Sequence, residues 1–185
     1  MRWMWIDRII ELVPRQRMVA IKNISMAEEV LHDHFPATAA RGALPIFPAC
    51  FIIEGMAQTA GILVGHAEDF REKVILAKVN KVELTEDATP GKTLRYTATI
   101  RQLDAIGASC AGTIELLDPV NPAAAREIGT IELMFSHIDQ NMAGTEFPKE
   151  NFVFSESFRT LLRMSGIEAK QEGSYDNPLP PAPRS

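Results

Sequence analysis

Two ionisable side chains sit where the chain is otherwise almost apolar. Residues 32–58 read HDHFPATAARGALPIFPACFIIEGMAQ, and in the apolar second half of that stretch the single acid is Glu54. Burying a carboxylate without partners is costly, which favours its protonated form. A positioned, protonated acid can donate to a leaving hydroxyl. Gln58 follows four residues later, a spacing that on a helix sets its amide over the carboxyl. A structural acid salt-bridged to a core arginine would explain the same residue, because ion-pair networks also perturb acids. His34 precedes Phe35 and Pro36, which restrict the backbone and give the ring an apolar setting. A neutral imidazole there is a candidate general base, although His34 read alone fits an ordinary packed histidine better. The backbone N–H groups of Ala49 and Cys50 form a third feature. At a helix start they lack intrahelical partners and could hold a carbonyl oxygen on which charge develops; solvation or capping is the alternative. His32, Asp33 and His34 have no further histidine nearby in sequence, so no metal site is expected. His66 is expected to meet a helix dipole, and His137 has no partner that the sequence names.

The elements that must position these groups follow from periodicity. Residues 4–13 and 17–25 read as strands joined by a turn at Pro14–Arg15–Gln16, with Val19 and Ile21 facing away from Ala20 and Lys22. Residues 48–66 predict the one long helix, with Pro48 at its first position. The run is too long for one strand and apolar nearly all round, so most of its faces should be buried. Gly55, Gly61 and Gly65 weaken it, which suggests close approach to a sheet or a second helix. Period-two patterns then predict strands at 74–84, 93–103, 108–117 and 127–137. In the second of these, Leu94, Tyr96, Ala98 and Ile100 share one face. One helix with a long, mostly antiparallel sheet is an α+β arrangement. Residues 139–185 form a C-terminal extension with a short amphipathic helix at about 155–165. Ser155 is its candidate cap and Gly166 its stop, and a proline-rich tail, DNPLPPAPRS, reads as disordered.

Composition narrows the function classes. The chain has 185 residues and a net charge of −5, with 46% hydrophobic and 23% charged residues. The length allows one domain with a real core. The negative charge argues against a nucleic-acid binder. No apolar run is expected to span a membrane, and the opening MRWMWIDRII carries Asp7 and Arg8 where a signal peptide needs apolar residues. A cytoplasmic protein is therefore expected. Cys50 and Cys110 form no CxxC pair and read as two small buried hydrophobes.

Taken together, HFP at 34–36, PIFPACFIIEGMAQ at 45–58 and PGKTL at 90–94 resemble the β-hydroxyacyl-acyl-carrier-protein dehydratases, which have the hotdog fold. The likeness covers residues 4–138, taken here as a domain of residues 1–138. It implies a curved antiparallel sheet wrapped around one buried helix. It further implies a homodimer, or a trimer of dimers, with an active site shared between chains. In such a site His34 removes the proton beside a thioester carbonyl, and Glu54 of the other chain protonates the departing β-hydroxyl to leave a trans-enoyl thioester. The N–H at Ala49, beside Cys50, holds the carbonyl oxygen, and Gln58 steadies Glu54. No metal or redox cofactor is implied. The acyl chain arrives on the phosphopantetheine of an acyl carrier protein or on coenzyme A, and enters a tunnel along the helix.

Three departures from the family accompany the likeness. ATAARGAL lengthens the link after HFP, and this loop of residues 37–44, with Arg41 and Gly42, is a candidate lid. Ala49 replaces the family's glycine and narrows the approach to its N–H. Glu83, Glu86 and Asp87 stand where the family is basic, which would repel an acidic carrier and turns attention to Arg41, Arg71, Lys73, Lys78 and Lys81. Two other functions fit a hotdog chain: an acyl thioesterase, which would not need His34, and a non-catalytic acyl-binding subunit, which would not need to keep His34 and Glu54.

Overall fold

The computed structural model describes residues 3–138 and 156–167. Six strands form one antiparallel sheet: β1 (Arg8–Val13), β2 (Arg17–Asn23), β3 (Val74–Leu84), β4 (Thr93–Leu103), β5 (Gly107–Leu117) and β6 (Arg126–His137). Their order across the sheet is β1-β2-β4-β5-β6-β3. The helix α1 (Ala49–Ala67) packs against the sheet. This is the α+β hotdog arrangement expected from the resemblance. A second helix, α2 (Glu156–Met164), packs on β1.

Alternation does what the sequence pattern requires. In β5 buried and half-buried residues alternate along the strand, and in β4 Leu94, Tyr96 and Ala98 are fully buried. Side chains of period two therefore put one face of the sheet on α1. On α1 the buried set includes Ile52, Met56, Ala60, Leu63 and Val64. A large apolar side chain buried in this way contributes about 1.5–3 kcal/mol.

Glycine permits two of the close approaches. A Cβ at Gly55 would stand 2.6 Å from the ring of Tyr96, and one at Gly65 would stand 2.9 Å from the ring of Phe70. At Gly61 the nearest atom would be a Phe135 ring carbon at 3.5 Å, an ordinary contact. By length and hydropathy α1 is long enough to cross a membrane, contrary to expectation, yet more than half of it is buried inside the protein. Its apolar character is accounted for by the sheet.

Several expected boundaries shift for local reasons. The first strand begins at Arg8, not at residue 4: Trp5 gives its N–H to Gln58 on α1, and Asp7 is the first residue whose N–H reaches β2, at Ile21. Pro48 caps the helix in extended conformation and Ala49 is the first helical residue. Cys110 is buried, and burial pushes its thiol up to about 12, but Cys50 is exposed. Cys50 belongs to the first turn of α1, ahead of the residues that meet the sheet.

At the far end of α2, Gly166 adopts φ +70° and Ile167 donates its N–H to Leu162 at 3.0 Å. That closure folds Ile167 back beside Phe158, Leu161 and Leu162 in the core. Ser155 and the proline-rich tail lie outside the described residues.

Candidate active site

Glu54 sits on the second turn of α1, where the helix meets the N-terminal segment. It is half-buried, not enclosed as the apolar run suggested. Two donors converge on one of its oxygens. The Trp3 indole N–H reaches Oε1 at 2.9 Å, and Gln58 Nε2 reaches the same atom at 3.1 Å. Among the described residues no hydrogen bond is made to Oε2. Gln58 is itself oriented by the main chain: its Oε1 accepts from the Trp5 N–H at 2.9 Å, and its Nε2 donates to the Trp3 carbonyl at 3.1 Å. With both ends of the amide committed, its nitrogen must face the carboxyl.

An aromatic cluster holds the N-terminal segment in place. Trp5 stacks on Phe51 at 3.9 Å between centroids, and Trp3 meets both rings edge-on. Phe47 completes the cluster against Trp5. Trp3 and Trp5 were not among the residues singled out from sequence. Their partners lie about fifty residues away, so no local period marks them; the dense aromatic opening RWMW was the one available hint.

His34 lies on the loop after a short 3-10 turn, Glu29–Leu31. Its Nδ1 is 2.8 Å from the Leu31 carbonyl oxygen. A carbonyl can only accept, so a neutral ring carries its hydrogen on Nδ1 and leaves the Nε2 lone pair free. The next residues form a small hairpin: Phe35 pairs with Leu44 and Thr38 with Arg41. Arg41 lies over the Phe35 ring at 5.7 Å.

The structure brings Glu54 and Gln58 together, but His34 lies outside their hydrogen-bond group. Glu54 and Gln58 line a cavity of about 190 Å³ along α1. Ala49 lines a different cavity, of about 230 Å³, with Phe47, Ile52 and the 84–88 segment. Ala49 and Cys50 are exposed at the start of α1, where Pro48 supplies no side-chain cap. Ala49 stands five residues, about 7.5 Å of helix rise, before Glu54.

The charges near the PG turn are partly neutralised. Arg126 Nε holds Glu86 at 2.6 Å, and Lys81 lies 3.0 Å from Glu83. The Arg126 and Lys81 hydrogen bonds hold both carboxyls below the usual range. Of the basic candidates, Lys73 is buried and is not a docking residue, whereas Lys78, Lys81, Arg41 and Arg71 are exposed. His66 falls in the last turn of α1 with its ring edge-on to Phe70. His137 is buried, with Nδ1 3.3 Å from the Ala105 carbonyl.

Residues 2–116, more than half of the chain, match the FabA-like domain. The chain belongs to the FabA-like domain family. Relatives of this FabA-like protein include the 3-hydroxyacyl-[acyl-carrier-protein] dehydratase FabZ of Cereibacter sphaeroides, 37% identical over 100 residues, covering 52% of this chain and 61% of that one. The protein of the same name from Helicobacter pylori strain J99 is 40% identical over 98 residues, covering 49% and 58%. The FabA-like chain thus covers less than two thirds of either relative. Among solved structures, the dehydratase heterocomplex ApeI:P from Xenorhabdus doucetiae superposes with a TM-score of 0.54 at 18% identity, covering 73% of this chain and 83% of that one. A thioesterase family protein from Silicibacter pomeroyi gives 0.54 at 14%, covering 70% and 82%. At such identities these two structures speak for the shared fold alone.

Proposed function

We propose that the protein is a dehydratase that converts β-hydroxyacyl thioesters into trans-2-enoyl thioesters in fatty acid or related lipid synthesis. One observation carries the reading: Glu54 and His34 each commit one polar atom to the scaffold and leave the other open. Glu54 Oε1 accepts from Trp3 and Gln58, and among the described residues Oε2 makes no hydrogen bond. His34 Nδ1 is tied to Leu31, so Nε2 is left to accept one. An acid and a base with opposite open atoms are what β-elimination needs. The FabZ relatives support the same chemistry.

In this reading His34 Nε2 takes the proton on the carbon next to the thioester carbonyl. The carbon–oxygen bond at the β position breaks, and Glu54 Oε2 gives its proton to the departing hydroxyl, which leaves as water. The electron pair of the broken C–H bond becomes the new double bond. The net reaction is loss of one water with no change of oxidation state, so no oxidant is called for, and the proton held by His34 returns to Glu54 before the next turnover. The Ala49 N–H, at the uncapped start of α1, holds the thioester oxygen as charge builds on it.

The site is shared between two copies of the chain, with His34 of one facing Glu54 of the other. Support comes from the lack, among the described residues, of any hydrogen bond between His34 and the Glu54 group, and from the edge of β3. That strand pairs only with β6 in the described sheet, and Leu76 and Val79 are exposed on it. An open edge is a template for pairing with another strand; here Leu76 and Val79 alternate with exposed Lys78 and Lys81. The protein acts in the cytoplasm as a homodimer or trimer of dimers. Its substrate is carried by the phosphopantetheine of an acyl carrier protein or by coenzyme A.

The test is an assay of purified protein with a β-hydroxyacyl thioester and with a trans-enoyl thioester, following enoyl absorbance and free thiol together. Reversible interconversion without thiol release is expected. Thiol release alone would replace this reading with a thioesterase, and neither signal would leave an acyl-binding subunit.

A further inference from the structure

The cavity that starts at Glu54 runs along one stripe of α1. Glu54, Ala57, Gln58, Gly61, Ile62 and Gly65 line it, at the three- and four-residue spacings that share a helix face. Three of these six carry a methyl group or nothing, so the helix surface is hollowed along the stripe. From Glu54 to Gly65 it covers about 16 Å of helix rise. The remaining wall is apolar at Phe70, Val74, Leu76 and Phe135, from the segment after α1 and from β3 and β6, and carries one acid, the half-buried Glu72. One wall residue comes from elsewhere: Phe158, on α2. It is only 8% exposed and is packed into the core beside Leu161 and Leu162. Residues 2–116 carry the family match, so α2 lies outside it.

We propose that α2 is a wall of the acyl pocket and that Phe158 limits the length of acyl chain the protein accepts. The inference rests on the dehydratase reading for the identity of the occupant. An alkyl tail fits because the hollow is apolar along most of its wall and continuous with Glu54 and Gln58, where the polar end of the substrate would be held. A buried aromatic ring in a well-packed core does not yield to an incoming chain without loss of packing. Carbons beyond the space it leaves stay in water.

Binding of S-alkyl pantetheine thioethers, from butyl to hexadecyl, tests this by calorimetry, because such ligands cannot be turned over. In the wild-type chain affinity should rise about fourfold for each methylene that becomes buried and then stop rising. In Phe158→Ala the stop should move to longer chains, with a gain of at least about fourfold for the first chain length beyond the wild-type limit. Phe158→Leu should give a smaller shift in the same direction, and it decides the matter if the alanine variant does not fold. A stop at the same length in a folded variant, or no length dependence in the wild type, overturns the proposal. If the stop moves but no enoyl product is ever formed, the pocket wall stands and the dehydratase reading falls. If enoyl product forms while the stop stays fixed, the reverse holds.

Discussion

Trp3 donates its indole N–H to Glu54 Oε1 at 2.9 Å, across 51 residues of chain. With Gln58 on the same oxygen, it makes the orientation of the proposed acid a property of the N-terminal segment as well as of α1. Trp3→Phe keeps most of the aromatic packing and removes that one donor. A hydrogen bond to an ionisable partner is worth about 1.5 kcal/mol, so kcat should fall about tenfold with little change in KM. Steady-state kinetics on a β-hydroxyacyl thioester checks it; an unchanged kcat would remove Trp3 from the site.

A site divided between subunits makes a sharper demand. His34→Ala and Glu54→Gln should each abolish turnover. Mixing the two dead proteins under conditions that exchange subunits should restore roughly a quarter of wild-type activity, because half of the dimers are mixed and each mixed dimer holds one complete site of two. No recovery after verified exchange would place both residues in the same chain's site.

Two helix glycines, Gly55 and Gly61, predict opposite effects from the same change. Alanine is better than glycine in a helix by about 1 kcal/mol. At Gly61 the new Cβ meets only an ordinary contact at 3.5 Å, so Gly61→Ala should raise the melting temperature. At Gly55 the new Cβ would stand 2.6 Å from the ring of Tyr96, which is fully buried and cannot move aside. Overpacking of that kind costs about 1–3 kcal/mol, so Gly55→Ala should lower the melting temperature. Thermal unfolding of both variants reads the signs directly.

Lys22 offers a prediction about pH. It is only 6% exposed and donates to Asp7 at 3.0 Å and Glu28 at 2.6 Å. Burial opposes its charge, but the hydrogen bonds to Glu28 and Asp7 and their negative charges outweigh that, so its pKa lies above the ordinary lysine value of 10.5. The folded state therefore holds this proton more tightly than the unfolded chain. The contribution is complete below about pH 10.5 and declines as pH rises through the raised folded value. Lys22→Met should cost about 1–2 kcal/mol at neutral pH, less than a fully enclosed pair, because both acids keep contact with water. It should also flatten the alkaline fall in stability measured by urea unfolding as pH rises above about 10.5.

Much of the architecture was readable because it is local. Alternation marks β4 and β5 in their own residues, and the length of the apolar run marks α1. What the sequence hid is long-range. Lys22 alternates with Ala20 on the buried side of β2, yet its rescue by Asp7 and Glu28 depends on how the chain folds back. Ahead of the boundary at Arg8, Trp5 gives its N–H to Gln58, far along the chain. Cys50 looked apolar because its neighbours are, but its exposure is set by where α1 begins relative to the sheet. Glu54 was legible as an isolated acid, whereas its half-exposed setting and its second donor, Trp3, were not.

The bond from the Leu44 N–H to the Phe35 carbonyl, 2.9 Å long, ties the two ends of the extra loop together. The detour leaves the framework and rejoins it at a single point, so its length is decoupled from the placement of His34 on one side and Pro45 on the other. Residues can be gained or shed inside such a closed excursion without re-routing the main chain, which makes it a place where lineages can diverge while the chemistry beside it stays put.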